Sequence, residues 1–219
     1  MAAERRSAAR FAGVSPSAVQ IDRGEAPDPN FRNYKITKLF KAFKSIKIEI
    51  ILVNDGSTDK THELINLFIE STKKKDKKKI IYVNYTKNRG KGYALKKGIQ
   101  KANKKWNLTC DIDFSANPIE VQKWAKLNYI KKDKSCYFGS RSLKTSEVNY
   151  SYHRYYLGNI FNLLVSIFFD LNIGDTQCGF KLYHRSYAKK IFSKLREHGY
   201  SHDVEIAILL KKNLINIVE

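Results

Sequence analysis

Short apolar runs alternate with segments of helical periodicity along most of this chain. The runs Ile48–Val53, Ile80–Tyr85 and Leu108–Ile112 are rich in β-branched and other apolar residues, which predicts buried strands. Between them, apolar residues recur at the spacing of a helix face. We therefore expect an α/β fold with a mostly parallel central sheet and helices on both of its faces. Further strands are predicted at Cys136–Gly139 and Gly179–Tyr183, and helices at Ile36–Ile46, Thr58–Ser71, Gly92–Ala102, Asn117–Asn128, Tyr152–Leu171 and Asp203–Lys212.

The composition changes near residue 30. Every lysine lies at or after Lys35, whereas Pro16, Pro27 and Pro29 come before it. We interpret residues 1–30 as a disordered or foreign leader and residues 31–219 as a single domain. An organellar transit peptide is an alternative for the leader, although its acidic residues count against that interpretation.

The chain is strongly basic. It carries 41 Lys and Arg against 21 Asp and Glu, a formal net charge of +20 at pH 7. Such a surface attracts anions, which include nucleic acids, anionic lipids and phosphorylated ligands. The lysines are spread over many segments and form no recognised nucleic-acid motif, so we expect no nucleic acid partner. No uninterrupted apolar run reaches the roughly 18 residues of a membrane-spanning helix.

A polar cluster, Asn54–Asp59, directly follows the first predicted strand. Ligands of parallel sheets bind beyond the carboxyl ends of the strands, which is where Asp55 is expected. Gly56 permits a tight turn, and a carboxylate here can accept hydrogen bonds from a ligand. A plain joint between strand and helix explains the same residues equally well.

A pair of carboxylates, Asp111 and Asp113, ends the predicted strand Leu108–Ile112. Alternation along an extended segment directs both side chains to the same side. Two such charges stay ionised together when a cation lies between them, and hard divalent cations prefer oxygen ligands. The pattern predicts a Mg²⁺ or Mn²⁺ site that holds a diphosphate, with an ordinary acidic turn as the alternative.

A basic, glycine-containing loop, Asn88–Gly92, follows the strand Ile80–Tyr85 and opens a predicted helix. Its backbone N–H groups and the side chain of Lys91 are suited to phosphate oxygens. The loop fits neither of the two common glycine-rich phosphate motifs. A flexible basic loop without a ligand remains the alternative.

Six short motifs follow one another along the chain. They are Asn54–Asp59, Asn88–Gly92, Asp111 with Asp113, Gly139–Arg141, Asp175–Tyr183 and Asp203–Glu205. Their order and spacing resemble the family-2 glycosyltransferases with a GT-A fold, from about Tyr34 to Glu219. Within that family, the run Thr176–Lys181 is similar to the dolichyl-phosphate β-glucosyltransferases and their bacterial polyprenyl-phosphate relatives.

The resemblance implies roles for the residues on the donor side. Asp55 and Gly56 would bind the nucleoside end of a nucleotide sugar, and Lys91 would contact its phosphates. Asp111 would face the sugar and ribose, and Asp113, with Asp111, would ligate Mg²⁺ or Mn²⁺.

The resemblance also implies roles on the acceptor side. Arg141, Arg154 and Lys181 would receive the acceptor phosphate, and Lys181 also the donor diphosphate. Asp203 and Glu205 would lie near the sugar and acceptor, completing a catalytic set with the two strand-end aspartates. Surface charges and salt bridges are the alternative for each of these residues.

The function implied is metal-dependent, inverting transfer of a sugar to a polyprenyl or dolichyl phosphate. Glucose is the favoured sugar and UDP-glucose the favoured nucleotide-sugar donor. The alternative is an inactive, truncated glycosyltransferase that acts as a basic binding module. Truncation is expected because the family's first strand and its C-terminal segment have no counterpart in the predicted elements.

The predicted helix Tyr152–Leu171 has a broad apolar face. Such a helix can lie in a membrane interface, where the basic surface adds attraction to anionic headgroups. We therefore expect a cytoplasmic protein that associates peripherally with the cytosolic face of a membrane. The alternative is that this helix belongs to the core.

Overall fold

The computed structural model of the chain describes residues 16–22, 29–43, 47–111, 116–127, 129–130, 135–141, 143 and 152–219. For residues 16–22, 29–35 and 152–159 it describes the backbone alone. The strands are β1 (Pro16–Asp22), β2 (Glu49–Asp55), β3 (Ile80–Tyr85), β4 (Trp106–Asp111), β5 (Ser135–Phe138), β6 (Lys181–His184) and β7 (Asn216–Val218). The helices are α1 (Pro29–Ala42), α2 (Thr61–Ser71), α3 (Lys74–Lys77), α4 (Lys91–Lys101), α5 (Glu120–Lys126), α6 (Tyr152–Phe169), α7 (Arg185–Lys194) and α8 (His202–Lys212).

The strands form one seven-stranded sheet in the order β3-β2-β1-β4-β6-β5-β7. The neighbours β3, β2, β1 and β4 run parallel to one another. β6 lies antiparallel between β4 and β5, and β7 pairs in parallel with β5. The predicted α/β class with a mostly parallel sheet is confirmed. The carboxyl ends of β1 to β4 therefore meet at one end of the sheet, called the sheet edge below. The reversed strand β6 begins at that same end.

The core lies on both faces of the sheet, as predicted. Along β2, Ile50 and Leu52 point to one face and join a cluster that includes residues of α1 and α2. Ile51 and Val53 point to the other face, into a cluster with residues of α4, α7 and α8. All four are buried, and each such side chain contributes about 1.5–3 kcal/mol when removed from water. This two-sided burial explains why β2 is a continuous apolar run.

The structure corrects the interpretation of residues 1–30 for the segment Pro16–Asp22. This segment is β1, at the centre of the sheet, where Ala18 lies opposite Ile50 of β2 and Leu108 of β4. Val19 and Ile21 alternate with smaller or polar residues, a pattern typical of strands that the composition change near residue 30 obscured. A strand thus precedes β2 where none was expected, and residues 1–15 and 23–28 lie outside the described residues.

Other elements agree with expectation or add to it. The lysine-rich run at residues 73–79 contains α3, a single helical turn with no buried residue. α7 and β7 were not predicted, although the buried residues Tyr187, Ile191 and Phe192 recur at helical spacing along α7. In the part of the chain that the structure describes, no helix is long and apolar enough to span a membrane.

Proline at Val19 tests the position of β1. Proline removes a ladder N–H and is not accommodated in a central strand, so we expect Val19→Pro to destabilise the fold by about 3 kcal/mol or more. Urea denaturation followed by circular dichroism measures the loss. Lys74→Pro is the matched control, because Lys74 is the first residue of α3, where proline is tolerated, and it should unfold like the parent. Equal stability of the two variants would contradict the placement of β1.

Candidate active site

The carboxylate of Asp55 holds the loop between β3 and α4. Its two oxygens accept the backbone N–H groups of Arg89, at 2.9 Å, and of Gly90, at 2.8 Å. The side chain is buried, and a carboxylate is stabilised by donors at the start of a helix. Burial, and after it the neighbouring carboxylate of Asp55, raises the pKa of Tyr85 above its usual value. Asp55 therefore has a structural role at this edge, and its contact with a nucleoside stays a prediction.

Two glycines allow this loop to pack closely against its surroundings. Gly56 has φ +68°, and a Cβ atom there would lie 2.3 Å from the backbone nitrogen of Asn88. Gly90 has φ +90°, and its Cβ would lie 2.4 Å from the carbonyl oxygen of His198. Any side chain at either position would be strained and would push the loop away from the sheet edge.

Lys91 and Asp111 form an ion pair at the end of β4. Lys91 Nζ lies 2.7 Å from Asp111 Oδ1, and the Asp111 side chain remains 39% exposed. Gly179 lies against the pair, since a Cβ on it would be 2.6 Å from Asp111 Oδ2 and 3.1 Å from Lys91 Nζ. The structure thus brings together Lys91 and Asp111, which were predicted on the donor side, and packs Gly179 closely against the second carboxylate oxygen.

The ammonium of Lys181 is buried against the carboxylate of Asp203. Lys181 Nζ donates to Asp203 Oδ1 and lies 4.8 Å from the centroid of the Phe138 ring. A charge removed from water in this way requires a partner, because the desolvation penalty is several kcal/mol. Lys181 was predicted as a cation for phosphate, and in this structure its charge is compensated within the protein.

His202 completes this buried cluster. Its Nε2 lies 3.3 Å from Asp203 Oδ2, and its Nδ1 lies 2.6 Å from the carbonyl oxygen of Gly199. Burial lowers the pKa of His202, against the opposing effect of the Asp203 charge. His202 had no predicted role, although it directly precedes the predicted Asp203–Glu205 motif.

Arg141 is held by a second buried carboxylate, Asp175. Its Nε and Nη2 donate to the two oxygens of Asp175 at 2.7 and 2.9 Å, and its backbone N–H adds a third bond of 3.0 Å. Burial opposes ionisation of Asp175, but the hydrogen bonds and charge of Arg141 outweigh it and lower the pKa of this carboxyl. The Arg141 side chain is 44% exposed, so its guanidinium is fixed in direction and still faces solvent.

Glu205 lies apart from the Lys181–Asp203 pair. Its carboxylate accepts the backbone N–H of Arg196 at 3.1 Å and of Glu197 at 2.6 Å. Two residues along a helix point to different sides, which separates Glu205 from Asp203. The structure therefore does not bring the two residues of this motif together, and the catalytic role of Glu205 stays a prediction.

Two predicted site residues lie outside the description. Asp113 is outside the described residues, and the side chain of Arg154 is not described. Asp22 ends β1 at the same sheet edge, with its backbone opposite Asn54, and was missed because the leader was set aside as a unit.

No cluster of at least three His, Cys, Asp or Glu side chains that could hold a metal ion occurs among the residues that the structure describes. The Asp111 carboxylate remains 39% exposed, and its oxygens are of the type that hard divalent cations prefer.

Comparison with curated proteins finds dolichyl-phosphate β-glucosyltransferases. The protein from Dictyostelium discoideum is 35% identical over 188 residues, which cover 82% of this chain and 56% of that protein. The protein from Saccharomyces cerevisiae is 33% identical over 188 residues, which cover 78% of this chain and 55% of that protein. The chain spans about half the length of the curated relatives it matches.

Comparison with solved structures establishes the fold. Glucosyl-3-phosphoglycerate synthase from Mycobacterium tuberculosis, in complex with Mn²⁺, uridine diphosphate and phosphoglyceric acid, matches with a TM-score of 0.66 at 16% identity. The match covers 98% of this chain and 70% of that chain. The predicted GT-A-like fold is confirmed.

A protein-family model matches the central part of the molecule. The model described as glycosyl transferase family 2 matches residues 34–192, which run from α1 through α7. The chain therefore belongs to glycosyltransferase family 2.

Proposed function

We propose that this chain transfers glucose from UDP-glucose to the phosphate of a dolichyl or other polyprenyl phosphate. The observation that carries the proposal is the gathering of Lys91, Asp111, Lys181 and Asp203 at one edge of a family-2 fold. The relatives named dolichyl-phosphate β-glucosyltransferase support this choice of sugar and acceptor.

The donor lies, in this proposal, over the loop that Asp55 holds. Asp55 and Gly56 lie at the border of the space for the nucleoside, and the ammonium of Lys91 contacts the diphosphate. Asp111 is both the partner of Lys91 and the acid nearest the sugar and ribose. A divalent cation, Mg²⁺ or Mn²⁺, held by Asp111 and Asp113 would supply further positive charge to the leaving diphosphate.

The acceptor phosphate requires positioning more than activation. A lipid phosphate is already an anionic nucleophile, so no strong general base is needed to create it. Arg141, fixed in direction by Asp175, and Arg154 orient its oxygens opposite the leaving group, and in-line attack inverts the anomeric carbon. Asp203, engaged by Lys181, orients groups at the sugar rather than abstracting a proton.

A membrane surface is the proposed location of the reaction. The described part of α6 exposes apolar side chains to solvent, including Leu163 at 60%, Ile167 at 66% and Phe168 at 75%. An apolar helix face beside a basic surface binds interfaces that carry anionic lipids. We propose peripheral docking on the cytosolic face of a membrane, where the chain meets its lipid substrate.

A transfer assay with Asp113→Ala tests the reaction and its metal dependence. Purified chain, UDP-glucose, Mn²⁺ and a polyprenyl phosphate should form glucosyl lipid, detected by mass spectrometry. Asp113→Ala should reduce the rate by about 100-fold or more, the loss typical of a group that stabilises developing charge. Asp76→Ala, at a partly buried ion pair with Lys79 in α3, is the control and should retain the parent rate. Undiminished transfer by Asp113→Ala would remove the metal role, and absence of transfer by the parent would contradict the proposed function.

The Lys181–Asp203 pair can be tested for catalysis separately from stability. Lys181→Met leaves a buried carboxylate without its cation and should cost about 3–5 kcal/mol of unfolding free energy. The double variant Lys181→Met with Asp203→Leu replaces both charges and should recover most of that stability. If the pair takes part in the reaction, with Lys181 at a phosphate and Asp203 at the sugar, the stable double variant lacks transfer activity. A stable double variant with the parent rate would assign the pair a structural role alone.

Flotation with liposomes tests the membrane surface. Phe168→Glu places a charge on the exposed face of α6 and should weaken binding to anionic vesicles, because both burial and charge attraction are lost. Leu67→Glu makes the same kind of change on α2, where Leu67 is 61% exposed, and should bind like the parent. Equal flotation of the two variants would contradict docking through α6.

A further inference from the structure

The side chain of Glu219 holds the loop 174–177, which is part of the connection between α6 and β6. Its Oε2 accepts the backbone N–H of Gly174 at 2.7 Å, and its Oε1 accepts that of Asp175 at 2.9 Å. A carboxylate makes stronger hydrogen bonds to such N–H groups than a neutral acceptor does. Glu219 therefore fixes the backbone of Asp175, the residue whose side chain binds Arg141.

The sheet brings Glu219 and Arg141 to the same end of the molecule. β7 pairs in parallel with β5, and Val218 of β7 lies opposite Tyr137 of β5. Glu219 directly follows β7, and Arg141 lies three residues beyond the end of β5. Because parallel neighbours point in the same direction, both residues lie at the sheet edge, with the loop 174–177 between them.

The rest of this loop is held from other sides. The backbone N–H and the hydroxyl of Thr176 both donate to Asn162 Oδ1 of α6, at 3.3 and 3.0 Å. The backbone N–H of Gln177 donates to Asp175 Oδ1 at 3.2 Å. Thr176 and Asp175 are both buried. The loop thus holds the Asp175 carboxylate in one direction, and that carboxylate sets the direction of the Arg141 guanidinium.

We propose that Glu219 is a positioning residue for the acceptor phosphate, an assignment that rests on the proposed function. Glu219 acts through Asp175, which in turn orients Arg141. The Arg141 side chain is 44% exposed, and fixing its direction before the phosphate arrives lowers the entropic cost of binding. It also aligns the attacking oxygen with the anomeric carbon. The donor-side residues Lys91 and Asp111 are held by their own ion pair, so the effect is expected at the acceptor.

Exchange of the Arg141 Nε–H proton with water tests this orientation without any substrate. The proton is bonded to Asp175, and its NMR signal is assigned by its loss in Arg141→Lys. Glu219→Gln keeps the side-chain size but replaces one acceptor oxygen by an amide group, so exchange should become about tenfold faster, as expected for one lost hydrogen bond to a charged group. Glu49→Gln is the matched control at the other end of the sheet. A carboxylate oxygen of Glu49 accepts the backbone N–H of Asn103 at 2.9 Å, and its loss should leave exchange at Arg141 unchanged.

Steady-state kinetics of the transfer reaction give a second measurement. Glu219→Gln should raise the KM for polyprenyl phosphate about tenfold, for the same reason, and keep the parental KM for UDP-glucose. Glu49→Gln should match the parent in both. Circular dichroism melting verifies folding, and Glu219→Asp, which is too short to reach both N–H groups, replaces Glu219→Gln if the latter unfolds.

The outcomes separate this inference from the proposed function. Parental exchange at Arg141 in a folded Glu219 variant, an equal change in Glu49→Gln, or a parental KM for polyprenyl phosphate in an active Glu219 variant would overturn the inference. If the parent transfers no glucose, the proposed function fails, and faster exchange at Arg141 in the Glu219 variant still supports the role of Glu219 in orienting Arg141. The two failures are therefore distinguishable.

Discussion

The positive charge of a lysine inside a protein core needs a negative partner. This requirement determines how β6 and α8 lie together at the sheet edge. Lys181 begins the reversed strand β6, and its charge is met by Asp203 in the first turn of α8. The pair therefore fixes the start of α8 relative to the sheet, and with it the preceding segment, where the carbonyl oxygen of His198 accepts the backbone N–H of Gly92. His202, bonded to Gly199, extends the same constraint to that segment.

The loop 88–92 is held from two directions. Asp55 binds it from the end of β2, and the His198 carbonyl binds it from the segment before α8. Because neither Gly56 nor Gly90 has room for a side chain, the loop cannot shift without moving one of these supports. The loop 88–92 thus connects the end of β2 to the segment that precedes α8.

Much of this architecture could be predicted from sequence, for identifiable reasons. The strand Ile80–Tyr85 has its expected bounds, since an apolar run flanked by polar loops is unambiguous. β1 was missed because residues 1–30 were judged by their average composition, which does not reveal a strand of seven residues within them. Lys181 was predicted to be a cation of the site. Its pairing with Asp203 could not be predicted, because it depends on a tertiary contact that no local sequence pattern specifies. Asp203 and Glu205 are two residues apart on a predicted helix, so their side chains point to different sides of it. Their separation could therefore have been predicted from the sequence.

The reversed orientation of β6 has a consequence for what the sheet edge can recognise. Because β6 runs antiparallel to β4, its first residue, Lys181, lies beside Thr109 near the end of β4. The reversal thus brings a lysine to the end of the sheet where Asp111 ends β4, and Asp203 meets that lysine from α8. An end of the sheet that combines ammonium groups with carboxylates is suited to a molecule that itself combines hydroxyl donors with anionic oxygens, as a sugar joined to phosphate does.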